Sequence, residues 1–274
     1  MSLFQIDESK CKRDGFCVSD CPMGIIEMKT KESFPSPVSR ADELCIKCGH
    51  CVAVCPHEAI SLNWLKPQDC APISKDLAPS WEQTSYLMRS RRSIRKYRNK
   101  PVDREILNDL IEVASHAPTA HNSQPVNWLV IEKKEDMQAL AAIVIDWMKF
   151  MLQAQPNFAK VMHFDRVVAA WAMGLDRVLR DAPHMIIAHA LSNFPPSQAA
   201  CTIALTYMEL YAPTKGLGTC WAGYFNAAAN FFDPMKRALS LPAGHQTFGA
   251  LMIGYPRNPY NRIPTRNEPK VTWR

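Results

Sequence analysis

The sequence predicts an α+β protein of two domains, a small cysteine-rich domain followed by a larger one in which helices cover a central sheet. The 274 residues are many for a single core. Seven of the ten cysteines lie within the first 55 residues, and after residue 80 short apolar segments alternate with amphipathic ones. We therefore place the small domain at residues 1–66, a proline-containing linker at 67–79 and the larger domain at 80–274.

The composition excludes several classes of protein. Hydrophobic residues make up 47% and charged residues 21% of the chain, which is typical of a globular protein. No apolar run approaches the roughly 18–20 residues that span a bilayer, and the first residues do not resemble a secretory signal. We expect a cytoplasmic protein that binds no membrane. The formal net charge is +6, with a basic run between Arg89 and Arg104 that could face nucleic acid or a phosphate group.

The small domain contains an internal repeat of about 34 residues. The second copy follows the spacing C-x2-C-x2-C-x3-C-P, which is typical of proteins that hold iron–sulfur cubanes. In a two-cluster protein the fourth cysteine of each copy binds the other cluster. One predicted ligand set is therefore Cys45, Cys48, Cys51 and Cys21, and the other is Cys11, Asp14, Cys17 and Cys55. A segment of this length buries only a small hydrophobic core, so we expect bound metal to stabilise its fold.

The first copy departs from this pattern because Asp14 stands where its second cysteine would be. A carboxylate is a harder ligand than a thiolate and holds iron less firmly. Two outcomes are open, a 4Fe–4S cluster with Asp14 as the fourth ligand, or a 3Fe–4S cluster that lacks that iron. A third interpretation makes Asp14 only a turn residue before Gly15. Zinc is disfavoured, because a zinc site would not use the third closely spaced cysteine.

The larger domain is predicted to begin with two helices. One starts near Ser80, and one follows Asp103 and ends before Pro118. A further helix is expected at residues 199–211. The predicted strands lie at residues 128–132, 185–191, 219–225 and 247–255.

Four segments of the larger domain are candidates for binding an anionic, planar cofactor. The guanidinium groups and the hydroxyl of residues 91–95 suit a terminal phosphate. A polar loop at residues 117–125 precedes a strand. The small residues of segment 216–223 let a planar ring approach the backbone. Residues 253–266 close the last strand and lead to two further arginines.

The order and spacing of these segments resemble the nitroreductase family of FMN-dependent oxidoreductases, from about residue 80 onward. Residues 1 to about 65 resemble bacterial two-cluster ferredoxins, some of which carry aspartate at this place. The resemblance implies a homodimer with FMN and two iron–sulfur clusters. It assigns the flavin phosphate and ribityl chain to Arg91, Arg92, Ser93, Arg95 and Arg266, with Arg262 as a further candidate in the same tail. It assigns contacts from the partner subunit to Pro118, Thr119, Ala120 and Asn122, and backbone amides near the flavin N5 to Ala222 and Gly223.

We therefore expect an oxidoreductase that reduces nitroaromatic, quinone or related small acceptors, with electrons passed between the clusters and FMN. The donor is NAD(P)H or an external ferredoxin-type protein. Because the cofactors carry the reaction, no catalytic acid or base is assigned. Nucleic-acid binding is disfavoured, because the basic run fits the phosphate motif. The alternative is an electron-transfer or redox-sensing protein that turns over no small molecule.

Overall fold

A computed structural model of the protein describes residues 2–274 and divides the chain into two units. The first unit comprises the residues up to Pro79 together with the short segment His121–Ser123. The second comprises Ser80–Ala120 and Gln124–Arg274. Within residues 2–274, no helix has the length and apolar character needed to cross a membrane.

The first unit is built from short elements. They are β1 (Phe4–Ile6), α1 (Phe16–Ser19), β2 (Ile26–Glu27), β3 (Ser36–Pro37), α2 (Ala41–Leu44), α3 (His50–Ala53) and β4 (Ile60–Leu62), followed by two 3₁₀ turns at Pro67–Asp69 and Lys75–Leu77. Strand β1 pairs antiparallel with β4, and β2 pairs antiparallel with β3. Phe4, Ile26, Val52 and Ile60 belong to a small core, against which Cys21, Cys45, Cys51 and Cys55 are packed.

The internal repeat of the sequence is also a repeat of local structure. The one-turn helices α1 and α3 occupy equivalent places in the two cysteine motifs, and each follows a glycine in the left-handed region. Gly15 has φ 76° and Gly49 has φ 74°, a conformation that costs side-chain-bearing residues free energy. These two glycines turn the chain so that the cysteines on either side of each turn face the same pocket.

The second unit contains a four-stranded sheet and eight helices within the described residues. They are α4 (Trp81–Ser90), α5 (Arg104–Ser115), β5 (Asn127–Ile131), α6 (Lys134–Ala154), α7 (Pro156–Val161), α8 (Phe164–Ala172), β6 (His184–Leu191), α9 (Ser197–Tyr211), β7 (Gly218–Trp221), α10 (Gly223–Phe231), α11 (Asp233–Leu239) and β8 (His245–Gly254). The strand order is β5-β6-β8-β7, and every neighbouring pair is antiparallel.

Helices cover both faces of this sheet, because successive side chains of a strand point to opposite sides. In β6, Met185 and Ile187 pack into the core that contains residues of α6, α8, α10 and α11. Ile186 and Ala188 pack into the second core, with residues of α5 and α9. The predicted α+β class, with a sheet covered by helices, is confirmed.

The structure corrects one predicted element. The strand expected at residues 219–225 ends at Trp221, and α10 begins at Gly223. Phe225 and Ala229 are buried on one side of this helix, at the four-residue spacing of an amphipathic helix. The other three strands lie within two residues of their predicted ends. Ser80 caps α4, because its hydroxyl accepts a hydrogen bond from the amide of Gln83 at 3.2 Å.

Candidate cofactor sites

Four cysteines of the first unit line one pocket. Cys45, Cys48 and Cys51 come from the second copy of the repeat, and Cys21 comes from the first copy. Apolar residues, among them Ile25, Ile26 and Leu62, complete the lining. The structure thus brings together one complete donor set that the spacing of the sequence predicts, and it surrounds that set with apolar side chains.

A second pocket is lined by Cys11, Asp14, Cys17 and Cys55. Here three donors come from the first copy, and Cys55 crosses over from the second. Each oxygen of the Asp14 carboxylate has a polar neighbour. Its Oδ1 accepts a hydrogen bond from the Phe16 amide at 3.2 Å, and its Oδ2 lies 3.4 Å from His57 Nε2. The pocket therefore presents three sulfur donors and one oxygen donor.

The thiols of both pockets are partly withdrawn from water. Burial, together with the neighbouring donors of the same pocket, raises the pKa of Cys17 to about 11. Burial and the other three cysteines of its pocket raise the pKa of Cys51 to about 12. Because iron binds the thiolate, cluster assembly would release protons from these side chains.

The arrangement of the donor side chains can be compared with the needs of a single metal ion and of a cluster. Among residues 2–274, no three histidine, cysteine, aspartate or glutamate side chains converge on one point where an ion could bind. A structural zinc ion needs four donors around one centre at about 2.0–2.3 Å. In a cubane, by contrast, each protein ligand binds a different iron, so the four donors stand further apart. The four donors that line each pocket match the number of protein ligands that an iron–sulfur cubane takes.

The basic segment of residues 91–97 lies against the edge of the sheet in the second unit. The Ile94 amide donates to the Thr219 carbonyl at 2.8 Å. The Tyr97 hydroxyl donates to the Ile94 carbonyl at 2.7 Å. Gly218 makes this approach possible, because an added Cβ would lie 2.2 Å from Ile94 Cγ1. The small residue at 218 thus serves the packing of the basic segment, whereas the sequence suggested room for a planar ring.

One arginine of the basic segment already has a partner inside the unit. Arg91 Nη1 donates to Glu209 Oε1 at 2.9 Å, and Glu209 Oε2 accepts from Trp221 Nε1 at 3.2 Å. Glu209 is 8% exposed, so this ion pair is mostly shielded from water. Arg92 and Arg95 form no ion pair within the described part of the chain.

A cleft of about 340 Å³ opens beside strand β7. Its walls are aromatic side chains, among them Trp147, Phe164 and Tyr224, and three arginines line it: Arg95, Arg177 and Arg180. Cys220 also lines this cleft. Burial raises the pKa of the Cys220 thiol, although the charges of Arg95 and Arg180 act in the opposite direction. Cys220 is therefore a buried thiol with little thiolate character.

Sequence reasoning did not identify Arg177 and Arg180. They lie in the irregular segment between α8 and β6, where no periodic pattern or family motif applied. The available signal was their spacing, because the two arginines flank the apolar pair Val178-Leu179. A buried apolar pair inside a short loop anchors the loop and fixes the residues on either side of it.

The two backbone amides assigned to the flavin differ in their environment. The Ala222 amide donates to the Ala250 carbonyl at 2.9 Å, so it is already used within the sheet. Gly223 is the first residue of α10, whose first amides have no acceptor inside the helix. An added Cβ at Gly223 would meet nothing within 4 Å, and the residue lines the cleft. Of the two amides, that of Ala222 is bonded within the sheet, whereas that of Gly223 has no acceptor inside α10.

The predicted partner-subunit loop is conformationally strained. His121 and Asn122 both have φ 51°, and Gln124 has φ 43°. Left-handed backbone at residues other than glycine is often found at functional sites. The Thr119 hydroxyl accepts from the Gln124 amide at 3.1 Å. Asn122 groups with the first unit, where its amide nitrogen donates to the Lys47 carbonyl at 2.9 Å. Pro118 and Ala120 are exposed.

The C-terminal tail is exposed throughout residues 257–274. Arg262 and Arg266 lie in this tail and line neither the cleft nor the two cysteine pockets. The tail also carries exposed apolar side chains, including Trp273, which is 90% exposed.

The first unit thus contains two pockets lined by four donors each, and the second contains an arginine-lined aromatic cleft beside a helix-covered sheet. Residues 9–60 match the 4Fe-4S dicluster domain, and residues 88–255 match the Nitroreductase family. The chain belongs to the nitroreductase family of FMN-dependent oxidoreductases, and a 4Fe-4S dicluster domain precedes its nitroreductase domain.

Individual proteins support the same assignment. An NADH dehydrogenase from Thermus thermophilus is 28% identical over 202 residues, which cover 67% of this chain and 92% of the relative. An iodotyrosine deiodinase from Thermotoga neapolitana is 22% identical over 190 residues, 66% of this chain and 92% of the relative. Among solved structures, an FMN-bound nitroreductase from Desulfitobacterium hafniense has a TM-score of 0.57 and 22% identity, covering 69% of this chain and 97% of that one. This likeness concerns the fold.

Proposed function

We propose that the protein reduces a small conjugated acceptor, such as a nitroaromatic or a quinone, at an FMN bound beside the cleft of the second unit. The aromatic cleft next to Gly223 carries this proposal. Its walls suit a planar ring, and its arginines supply positive charge to an anionic group. Bound FMN would accept two electrons, singly or as a hydride, while the protein holds ring and acceptor in contact.

The flavin phosphate and ribityl chain would bind to Arg92, Ser93 and Arg95. Arg91 would support them from its ion pair with Glu209. Arg262 and Arg266 would join from the tail when the flavin is bound. Guanidinium forks and a hydroxyl are suited to a terminal phosphate because they offer several charge-assisted hydrogen bonds. The Gly223 amide would face the flavin N5.

The first unit would hold two iron–sulfur clusters. Cys21, Cys45, Cys48 and Cys51 would ligate one 4Fe–4S cluster. Cys11, Cys17 and Cys55 would ligate the other, and Asp14 would either bind its fourth iron or leave a 3Fe–4S cluster. A cluster carries one electron at a time, whereas the flavin handles two, so the clusters would feed or drain FMN in single steps.

The protein would act as a homodimer in which Pro118, Thr119, Ala120 and Asn122 reach the flavin of the partner subunit. Exposed apolar side chains support association. Trp81 and Tyr86 on α4 are 77% and 67% exposed, and the tail adds Val271 and Trp273 at 59% and 90%. Large apolar side chains that are this exposed could be covered by a second copy of the chain.

The electron donor would be NAD(P)H or a ferredoxin-type protein. The name of the Thermus relative supports the first, and the dicluster domain supports the second. Anaerobic turnover of a nitroaromatic and a quinone with each donor tests the proposal, after iron, sulfide and FMN have been quantified in the same sample. We expect turnover with at least one donor. A fully loaded protein that exchanges electrons but reduces neither acceptor would instead be an electron-transfer or redox-sensing protein.

A further inference from the structure

We propose that Arg177 and Arg180 bind an anionic group of the acceptor, so that the substrates of this enzyme are planar aromatic or quinoid molecules carrying a carboxylate. This inference rests on the proposed function and specifies its substrate class. It concerns the segment Asp176–Asp181, which we term the arginine loop.

The charge of the cleft is uncompensated. Arg177 and Arg180 line it together with Arg95, and no aspartate or glutamate lines it. None of these three arginines forms an ion pair anywhere in residues 2–274. Trp147, Phe164 and Tyr224 line the same cleft. Such a cleft pairs a flat apolar surface with cationic forks, which matches a ring that bears a carboxylate.

The arginine loop is held in place by one carboxylate. Asp176 Oδ1 accepts hydrogen bonds from the amides of Val178 at 2.7 Å and Leu179 at 2.9 Å. Its Oδ2 accepts from the Asp181 amide at 3.1 Å. Because these oxygens are occupied by backbone amides, the Asp176 charge is used inside the loop.

Burial anchors the same loop. Val178 is 4% exposed and Leu179 is 1% exposed, and both belong to the core on this face of the sheet. The arginines on either side of this pair are therefore carried by a fixed backbone, which lowers the entropy lost when they bind a ligand.

The backbone adopts an unfavourable conformation at the second arginine of the loop. Arg180 has φ 62° and Asp181 has φ 53°, so two successive residues with side chains occupy the left-handed region. This conformation persists where the surroundings enforce it, and it occurs often at ligand-binding sites. The Asp176 hydrogen bonds and the buried pair supply that enforcement.

The flavin phosphate has other candidate ligands. Arg92 and Ser93 lie in the basic segment and do not line the cleft. Arg95 lines the cleft from that segment, and Arg177 and Arg180 line it from the arginine loop. The charge of the arginine loop is therefore available to a second anion, which we take to be the carboxylate of the acceptor.

The test compares a charged and a neutral acceptor of similar shape on the FMN-loaded enzyme. 4-Nitrobenzoate and nitrobenzene are used with wild type, Arg177→Ala, Arg180→Ala and the matched control Arg166→Ala. Arg166 is an exposed arginine of α8 that does not line the cleft. We expect each loop variant to lower kcat/KM for 4-nitrobenzoate by about tenfold or more, since a charge-assisted hydrogen bond is lost. Nitrobenzene turnover and FMN content should stay close to wild type, and Arg166→Ala should change neither.

Three results would overturn the proposal. An equal decrease of kcat/KM for both acceptors would mean that the arginines do not recognise the carboxylate. Loss of FMN from the loop variants would assign their charge to the flavin phosphate. Unchanged kinetics would remove them from recognition altogether. Calorimetric titration with 4-nitrobenzoate gives a readout without turnover, so selective binding that Arg180→Ala abolishes would support the site even if neither acceptor is reduced.

Discussion

Replacing Gly223 by alanine separates the stability of the protein from its affinity for flavin. In the structure, an added Cβ at Gly223 meets nothing within 4 Å. The residue opens α10, and alanine is favoured over glycine in a helix by up to about 1 kcal/mol. For a chain of this size such a gain shifts the thermal midpoint by only about 2–4 °C. The flavin-free variant should therefore be as stable as wild type or slightly more so.

The flavin-bound protein should respond in the opposite direction. If the ring lies against the backbone at Gly223, the new methyl group occupies space that the ring needs. Overpacking of this kind costs about 1–3 kcal/mol, which corresponds to an affinity for FMN that is weaker by roughly fivefold to 150-fold. Titration of the flavin-free protein with FMN, followed by flavin fluorescence, measures the affinity, and differential scanning fluorimetry measures the thermal midpoint.

Gly218→Ala provides the contrast. Its Cβ would lie 2.2 Å from Ile94 Cγ1 and 2.8 Å from Ile94 Cβ, so the flavin-free protein itself should lose about 1–3 kcal/mol. A Gly223→Ala protein that binds FMN as tightly as wild type would refute the reasoning, because no ring could then approach the backbone at that residue.

Three further predictions concern other parts of the chain. Burial lowers the pKa of His184, whose Nε2 accepts a hydrogen bond from the Val102 amide at 2.9 Å. Because the pKa is higher in the unfolded chain, unfolding takes up a proton, and the free energy of unfolding should fall as the pH drops below about 6.5. His184→Gln should flatten this dependence in urea titrations, and an unchanged slope would exclude His184 as its source. Asp14→Cys should give a cluster that resists oxidation better, since a fourth thiolate holds the labile iron more firmly, whereas identical EPR spectra of variant and wild type after air exposure would show that Asp14 is no ligand. Removing residues from Pro269 onward should weaken both dimer and FMN retention by deleting the exposed Trp273, and a truncated dimer with full FMN would rule out the tail as a clasp.

The sequence predicted best where the spacing of a few residues determines geometry. The crossed grouping of Cys21 with Cys45, and of Cys55 with Cys11, follows from the cysteine spacing, and the structure brings the same groups together. The class of the larger domain followed from periodicity in the same way. The sequence of strand β6 is a nearly continuous run of apolar residues, because helices cover both faces of the strand.

The sequence predicted least where tertiary contacts decide. Whether the Ala222 amide is available to a ligand depends on the neighbouring strand. Its hydrogen bond to the Ala250 carbonyl cannot be inferred from the sequence. The partner of Arg91 is Glu209, more than one hundred residues away along the chain. Arg180 enters the cleft because of a left-handed turn at a residue other than glycine, which composition alone does not indicate.

We propose that electrons pass between the clusters of the first unit and FMN, and this path is tested by stopped-flow reduction of Cys48→Ser. Cys70→Ser is the matched control, because Cys70 belongs to the same unit but lines neither cysteine pocket. Reduction of FMN by a low-potential ferredoxin should slow sharply in Cys48→Ser and remain at the wild-type rate in Cys70→Ser. Any direct reduction by NAD(P)H should persist in both. A Cys48→Ser protein whose FMN is reduced by ferredoxin as fast as wild type would contradict the claim.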